Sequence, residues 1–390
     1  MRIYTIFKIY EFLTFFFIYA NTLVYILGMK TYKYRLYPTK KQARIIVNQL
    51  EICRQVYNKT LETKINAYKE EKKNLTLFNL NKLLKSWKEE EATFKEPYSQ
   101  CLYKIQEQVD FAFSRFFAKQ NKFPRFKGKG RLRSLKYTQS GFKINGGLKK
   151  GKGYIEFSKI GTIKCKFHRI LLGKIKSLTI VKNLTGKVYV CITTDTIIDK
   201  KLKKTGKNVG IDLGIRTLAT LSDKKTIKNP KFIKKFEKEI SKLDRRVSKN
   251  KSEKNYHSRA LAYEKIANSR EDFCNKQANK LVKSYDIICF EKLNKEKMQK
   301  DGIRNINKAI SDACWGRLVQ KTICKAESAD KQVVLVEPQN TSKTCSRCGS
   351  IQDIELKELT YKCKCGLKMN RDLNASINIM RLGLQSLVKA

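Results

Sequence analysis

Histidine is nearly absent from this 390-residue chain, which carries only His168 and His257. Both lie far in sequence from the segments richest in other reactive side chains. A histidine-driven acid–base mechanism and a His-containing catalytic zinc site are therefore excluded, and a Ser or Cys nucleophile has no evident base. Acidic residues are also scarce: 35 Asp and Glu stand against 84 Lys and Arg, a formal net charge of +49. Such a chain repels itself unless a polyanion neutralises it, and Lys/Arg-rich surfaces are how nucleic acid backbones are held. An A+T-rich genome would account for the excess of Lys over Arg but not for so few acids. A phosphate-binding glycine loop is missing as well, since GIDLG at 210–214 lacks the spacing such loops need.

Cysteine is the exception. Of twelve cysteines, eight are scattered singly, as in a reducing compartment rather than a disulfide framework. The other four fall in two pairs, Cys345/Cys348 in TCSRCGS and Cys363/Cys365 in YKCKCGLKMNRD. Thiolates so spaced can converge on one tetrahedral Zn²⁺, with the glycine after each second cysteine permitting a tight knuckle. The first pair is C-x-x-C and the second a tighter C-x-C; four free or buried thiols are the alternative. The second pair runs directly into Asp372, at the start of an expected helix.

Read along the chain, residues 12–28 are strongly apolar, with Arg2 and Lys8 before them. That pattern fits a signal peptide or short anchor, but so basic a chain with so many unpaired thiols is odd as a secreted protein. The simpler expectation is an upstream extension over 1–28, with Met29 starting the functional chain and no membrane partner. KTYKYRLY at 30–37 alternates with the period of a strand, and helical spacing from Lys40 continues in further segments to about Gln120. Residues 122–136, KFPRFKGKGRLRSLK, interleave basic side chains with Phe123 and Phe126. Arg125, Lys127, Lys129, Arg131 and Arg133 there are candidate phosphate contacts, a solvated charge run being the bland alternative. Short strands with glycine turns fill 141–195. A small β-barrel interrupted by a helical block is expected: first strand 29–40, helices 41–120, remaining strands and basic loop 121–198.

After a Lys-rich linker, NVGIDLG and TLATLSD are apolar strands of the kind that open an α/β sheet. A charged helical hairpin follows, then strands YDIICFE and KQVVLVEP. Asp212 lies in the first of these strands and Glu291 ends the third. An acid in an apolar run is costly to bury unless a cation pairs with it. With Asp372, these acids form a set able to clamp two divalent cations about 4 Å apart for attack of water on a phosphodiester. Singly, each has an ordinary alternative: Asp212 as a turn former, Glu291 as a Lys-paired surface acid, Asp372 as a helix N-cap.

GIDLGIRTLATLSD, IICFEKLN, NTSKTCSRCG, YKCKCG and NRDLNASINI, in this order, resemble the TnpB (OrfB) proteins of insertion sequences, which are similar to the RuvC nuclease and to type V CRISPR effectors. MKTYKYRLYPTKKQ and FPRFKGKG resemble that family's N-terminal segments, so the likeness spans nearly all of 29–382. It implies a multidomain α/β protein in which the β-barrel and helical block precede an RNase H-like (RuvC) nuclease domain. That domain would occupy 199–344 and 367–390, with a zinc ribbon inserted at 345–366. It further implies an RNA-guided DNA endonuclease with Asp212, Glu291 and Asp372 as catalytic acids on Mg²⁺, and Cys345, Cys348, Cys363 and Cys365 on structural Zn²⁺. The partners would be a guide RNA from the transposon end and double-stranded DNA bearing a short adjacent motif, in the cytoplasm or on a nucleoid. Asn370 departs from the family pattern, where an Asp commonly precedes the Arg-Asp pair. A transposase performing strand transfer itself, or a silent nucleic acid-binding regulator, are the competing functions.

Overall fold

The computed structural model describes residues 29–147, 149–195, 201–292, 312–354 and 358–388. The expected upstream extension, 1–28, lies outside them. The chain divides into two compact units, residues up to 197 and from 198 onward.

In the first unit, strand β1 (Met29–Tyr37) leads through Pro38 into helix α1 (Lys40–Glu71). A capping box sets that start: Thr39 Oγ1 accepts from the Gln42 amide at 3.3 Å while the Gln42 side chain accepts from the Thr39 amide at 3.0 Å. Helices α2 (Leu77–Glu90) and α3 (Ser99–Phe117) complete the helical block. Strands β2 (Ser134–Tyr137), β3 (Phe142–Asn145), β4 (Gly151–Phe157), β5 (Gly161–Phe167), β6 (Ile175–Lys182) and β7 (Val188–Asp195) then join β1 in one seven-stranded sheet. The order is β2-β6-β7-β1-β5-β4-β3, every pair antiparallel.

The two edge strands, β2 and β3, are separated in sequence only by residues 138–141. A stretch that short cannot span a flat seven-stranded sheet, so the sheet curls until Tyr137 of β2 meets Phe157 of β4 at 5.2 Å between ring centroids. The alternation predicted for β1 holds. Tyr32, Tyr34 and Leu36 turn inward to one core with Val56 and Leu61 of α1 and Leu102 and Val109 of α3.

The second unit is built on a five-stranded sheet: β8 (Asn208–Asp212), β9 (Thr217–Leu221), β10 (Thr226–Lys228), β11 (Ile287–Glu291) and β12 (Gln332–Val336), in the order β10-β9-β8-β11-β12. β8, β11 and β12 run parallel, while β9 and β10 add an antiparallel edge. The expected helical hairpin is α4 (Glu237–Lys249) with α5 (Glu253–Ser284), and α6 (Trp315–Glu327) precedes β12. Side-chain alternation divides the sheet's faces. Val209, Ile211, Ile288 and Phe290 pack with Leu281, Trp315 and Leu318 on one side. Gly210, Asp212, Cys289 and Glu291 belong to the other.

That second face carries the C-terminal helix α7 (Arg371–Val388), and two glycines set its depth. A Cβ on Gly210 would lie 2.0 Å from the Ser376 carbonyl oxygen, and one on Gly383 would lie 2.3 Å from Cys289 Sγ. At Gly210 only glycine lets helix and sheet backbones approach so closely, while Gly383 makes room for the Cys289 side chain. Between β12 and α7 lie the cysteine loops and a hairpin of β13 (Thr360–Lys362) and β14 (Lys368–Asn370).

Candidate active site

Asp212 is the last residue of β8 and Glu291 the last of β11. Phe290 pairs with Ile211 in the parallel register, so the next residue along each strand brings Glu291 beside Asp212. The C-terminal edge of parallel strands is where α/β sheets place their ligands. The start of α7 comes to the same edge, with Asp372 in its first turn. Burial first, and then the negative charges of Asp372 and Glu291, push the Asp212 carboxyl up to about 7 against the opposing pull of Arg371 and the Leu213 amide. Burial also raises Glu291, while Thr341 Oγ1, donating to its Oε2 at 3.2 Å, works the other way. Asp372 and Glu291 are thus each within electrostatic reach of Asp212. The three acids do not close into a single-ion cage: among the described residues only the four paired cysteines form a group of three or more His, Cys, Asp or Glu whose ligand atoms all lie within 4.8 Å.

The ordinary alternatives fare differently. The capping role is taken by Asn370, whose Oδ1 accepts from the Leu373 amide at 3.1 Å, so it does not fall to Asp372. Lys292, the nearest lysine in sequence to Glu291, pairs with Glu337 at 2.7 Å. Asp212 does interact with the following backbone N–H, as a turn former would, but its dominant environment is burial among acids.

The cysteines converge as their spacing foretold. Cys345 and Cys365 Sγ are 3.7 Å apart, and Cys348 and Cys363 Sγ 3.6 Å. Four sulfurs about 2.3 Å from one ion at tetrahedral angles would be separated by about 3.8 Å, so the donor set fits one tetrahedral metal such as Zn²⁺. The C-x-C spacing of the second pair is accommodated by the turn from Cys363 to Gly366 at the tip of the β13–β14 hairpin, where Gly366 takes φ 82°.

In the first unit the basic loop is anchored rather than loose. The Lys127 carbonyl accepts from Arg54 Nη1 at 3.0 Å and Asn58 Nδ2 at 3.1 Å, and its amide donates to Asn58 Oδ1 at 2.8 Å. Lys127 itself turns inward, its ammonium 4.1 Å from the Tyr57 ring centroid, and burial lowers its pKa. Arg125, Lys129 and Arg131 are exposed, while Arg133 is half-buried. Beside them lies a groove of about 660 Å³ lined among others by Arg44, Arg54, Lys129, Arg133 and Lys182, with Glu51 its one acid. Arg44, Arg54 and Lys182 were missed by sequence reasoning; the arginines belong to α1 and the lysine to β6, distant in sequence from the basic run. Among the described residues no helix is long and apolar enough to cross a membrane.

Three family models match: "Helix-turn-helix domain" over 29–73, "Probable transposase" over 189–301 and "Cas12f1-like, TNB domain" over 315–379. The first covers a strand and one uninterrupted helix in this chain. A "Putative RNA-guided DNA endonuclease" of Streptomyces pristinaespiralis is 30% identical over 368 residues, covering 91% of this chain and 89% of the relative. "Putative RNA-guided DNA endonuclease InsQ" of Escherichia coli K12 is 26% identical over 377 residues, 91% of this chain and 92% of the relative. In fold, the chain is similar to the protein in a cryo-EM structure of a Cas12f1–sgRNA–target DNA complex, with a TM-score of 0.59 at 13% identity, covering 90% of this chain and 98% of that one. With a full-length relative at this identity and matching models in both units, the chain belongs to the TnpB (OrfB) family.

Proposed function

We propose that this chain is a transposon-encoded, RNA-guided DNA endonuclease whose reaction is run by Asp212, Glu291 and Asp372. The observation that carries the assignment is the meeting of these acids at one strand edge, where burial and mutual repulsion push Asp212 up to about 7. In a chain with so few acids, a cluster that repels itself is explained by the cation it would hold. Hard carboxylate oxygens suit Mg²⁺, which when bound supplies Lewis-acid stabilisation of the phosphoryl oxygens and a nucleophilic water. The chain's own part is to present the acids from two adjacent strand ends and one helix start, on backbone held by Gly210 and Gly383. The second unit is read as an RNase H-like (RuvC) nuclease, with Cys345, Cys348, Cys363 and Cys365 as a zinc ribbon. The curled sheet and helical block of the first unit are read as the part that holds guide RNA and reads a short motif beside the DNA target, with Arg125, Lys129, Arg131 and Arg133 on phosphates. Lys127, turned toward Tyr57, serves to anchor the loop.

The test is single replacement of Asp212, Glu291 or Asp372 by Ala. Each should abolish cleavage of guide-matched DNA in Mg²⁺ and leave RNA binding and zinc content unchanged, and the losses should not add, because the acids act as one unit. Robust cleavage by Asp212→Ala, or guide-independent strand joining by the parent, would overturn the mechanism in favour of a transposase. Sequencing the RNA that co-purifies with the protein tests the guide: a defined transcript from the transposon end is expected.

A further inference from the structure

The loop that leaves β12 for the first cysteine pair runs along one face of α7. Asn374, Asn378 and Arg381 recur on that face at i, i+4 and i+7, and each holds the loop's backbone. Asn374 is fully buried and uses both ends of its amide: Nδ2 donates to the Thr344 carbonyl at 2.8 Å, and Oδ1 accepts from the Ser346 amide at 2.9 Å. Asn378 Nδ2 donates to the carbonyls of Thr341 at 2.9 Å and Thr344 at 2.7 Å, and Arg381 Nη2 to that of Ser346 at 2.7 Å. Cys345 sits between the gripped residues, so the cysteine loop and the helix that begins at Arg371-Asp372 are fastened together. At the near end of this loop Thr341, 3% exposed, has its backbone held by Asn378 and its hydroxyl on Glu291 Oε2.

We infer that Thr341 is a positioning residue for Glu291, held by Asn378 so that the cysteine loop sets the carboxylate of β11 against the one at the start of α7. The inference rests on the proposed reading of Asp212, Glu291 and Asp372 as divalent-cation ligands. Its logic is geometric. Glu291 ends a strand and has a flexible side chain, while Asp372 enters from a helix more than eighty residues later. A donor fixed to that same helix constrains one carboxylate oxygen and leaves Oε1 to face a cation. Hydrogen-bond partners of metal-ligating carboxylates ordinarily contribute 10–100-fold, or about that, in metal affinity or activity.

The experiment uses the full chain and Mn²⁺ alone as a spectroscopic probe, with affinity read by electron paramagnetic resonance. Thr341→Val keeps the shape and removes the donor, and should weaken Mn²⁺ binding by about 10–100-fold. Thr341→Ser keeps the donor and should bind within a few-fold of the parent. Zinc content and thermal unfolding should be unchanged in both. Parent-like Mn²⁺ affinity in Thr341→Val, or a Thr341→Ser protein as weak as Thr341→Val, overturns the inference. Glu291→Gln and Asp212→Asn separate it from the reading beneath. If these lose Mn²⁺ and Thr341→Val does not, only the positioning role fails; if they bind like the parent, the cation site itself fails.

Discussion

Opposite the three acids, at the N-terminal ends of the parallel strands, the Asp286 carboxylate ties β8, β11 and β12 together. It accepts from the Thr205 amide at 3.0 and 2.9 Å, from the Gly206 amide at 2.7 Å, and from Lys331 Nζ, whose side chain is 1% exposed. These residues stand immediately before the strands, so the clamp fixes their mutual register and hence which side chains arrive at the far edge. Among the described residues, Asp286→Ala would leave a buried ammonium with only the Lys203 carbonyl, 2.8 Å away. Removing one partner of a buried pair costs about 3–5 kcal/mol; with Asp286 itself partly exposed and Lys203 retained, about 3 kcal/mol is expected. Native-state hydrogen exchange suits a two-unit chain better than a global melt, and the central amides of β8, β11 and β12 should exchange about a hundredfold faster. Adding Lys331→Met removes the stranded charge and should recover part of the loss. The Lys331 hydrogen bond, helped by the two amides, holds the Asp286 carboxyl well below the usual carboxylate range. A depressed acid contributes stability above its unfolded value of about 3.9 and loses it as pH falls through the folded one, so the parent–variant difference should be flat from about pH 7 to 5 and shrink below about pH 4. Exchange in Asp286→Ala indistinguishable from the parent, or a double variant worse than the sum of the singles, would refute the clamp.

Gly210→Ala should destabilise the second unit by about 3 kcal/mol or more and lose cleavage with it, because the added methyl meets the Ser376 backbone rather than a side chain that can move; a stable, active variant would show that α7 can lift without disturbing Asp372. Replacing Cys348 and Cys363 together by Ser should remove one zinc per chain by elemental analysis, and retention of the metal would defeat the four-cysteine site. Neutralising Arg125, Lys129 and Arg131 should lower the slope of log affinity for single-stranded RNA against log salt by about 2, at about 0.7 per lost phosphate contact. Lys127→Met, by contrast, should leave that slope nearly unchanged, since the ammonium already faces Tyr57; a slope change equal to that of an exposed arginine would place Lys127 on phosphate instead.

What could be read from the chain alone follows from the range of the forces involved. Tyr32, Tyr34 and Leu36 betray a strand because alternation is local, and the cysteine pairs betray a four-thiol cluster able to hold a metal because their ligand spacing is local too. Asp212 and Glu291 stood out because a charge in or closing an apolar run carries a desolvation cost that something must offset. Grouping them with Asp372 rested on the scarcity of acids and was strengthened by family resemblance, since nothing local joins segments so far apart. The same limit hid the groove lysine Lys182, the inward turn of Lys127 over Tyr57, the short edge strand β10, and the tie between Asp286 and Lys331.

Gly210 is the most instructive case. Within GIDLG it invites comparison with phosphate-binding loops and fails it on spacing, which leaves a glycine in a strand interior with no stated reason. The reason lies in Ser376 and Met380, whose backbones come within 2.0 and 2.5 Å of where its Cβ would be. The residue two places on in the same strand is Asp212, on the same face by the period of the strand. The glycine that admits α7 and the acid that Asp372 perturbs thus share one strand face: close approach at Gly210 goes with the start of α7 reaching the strand edge that carries Asp212. Asn378 ties the adjacent face of that helix to Thr341, and so to Glu291. A substitution of Thr341 at the end of this chain of contacts should act on the geometry of the acids before it acts on the fold around them, whereas one at Gly210 acts on both at once.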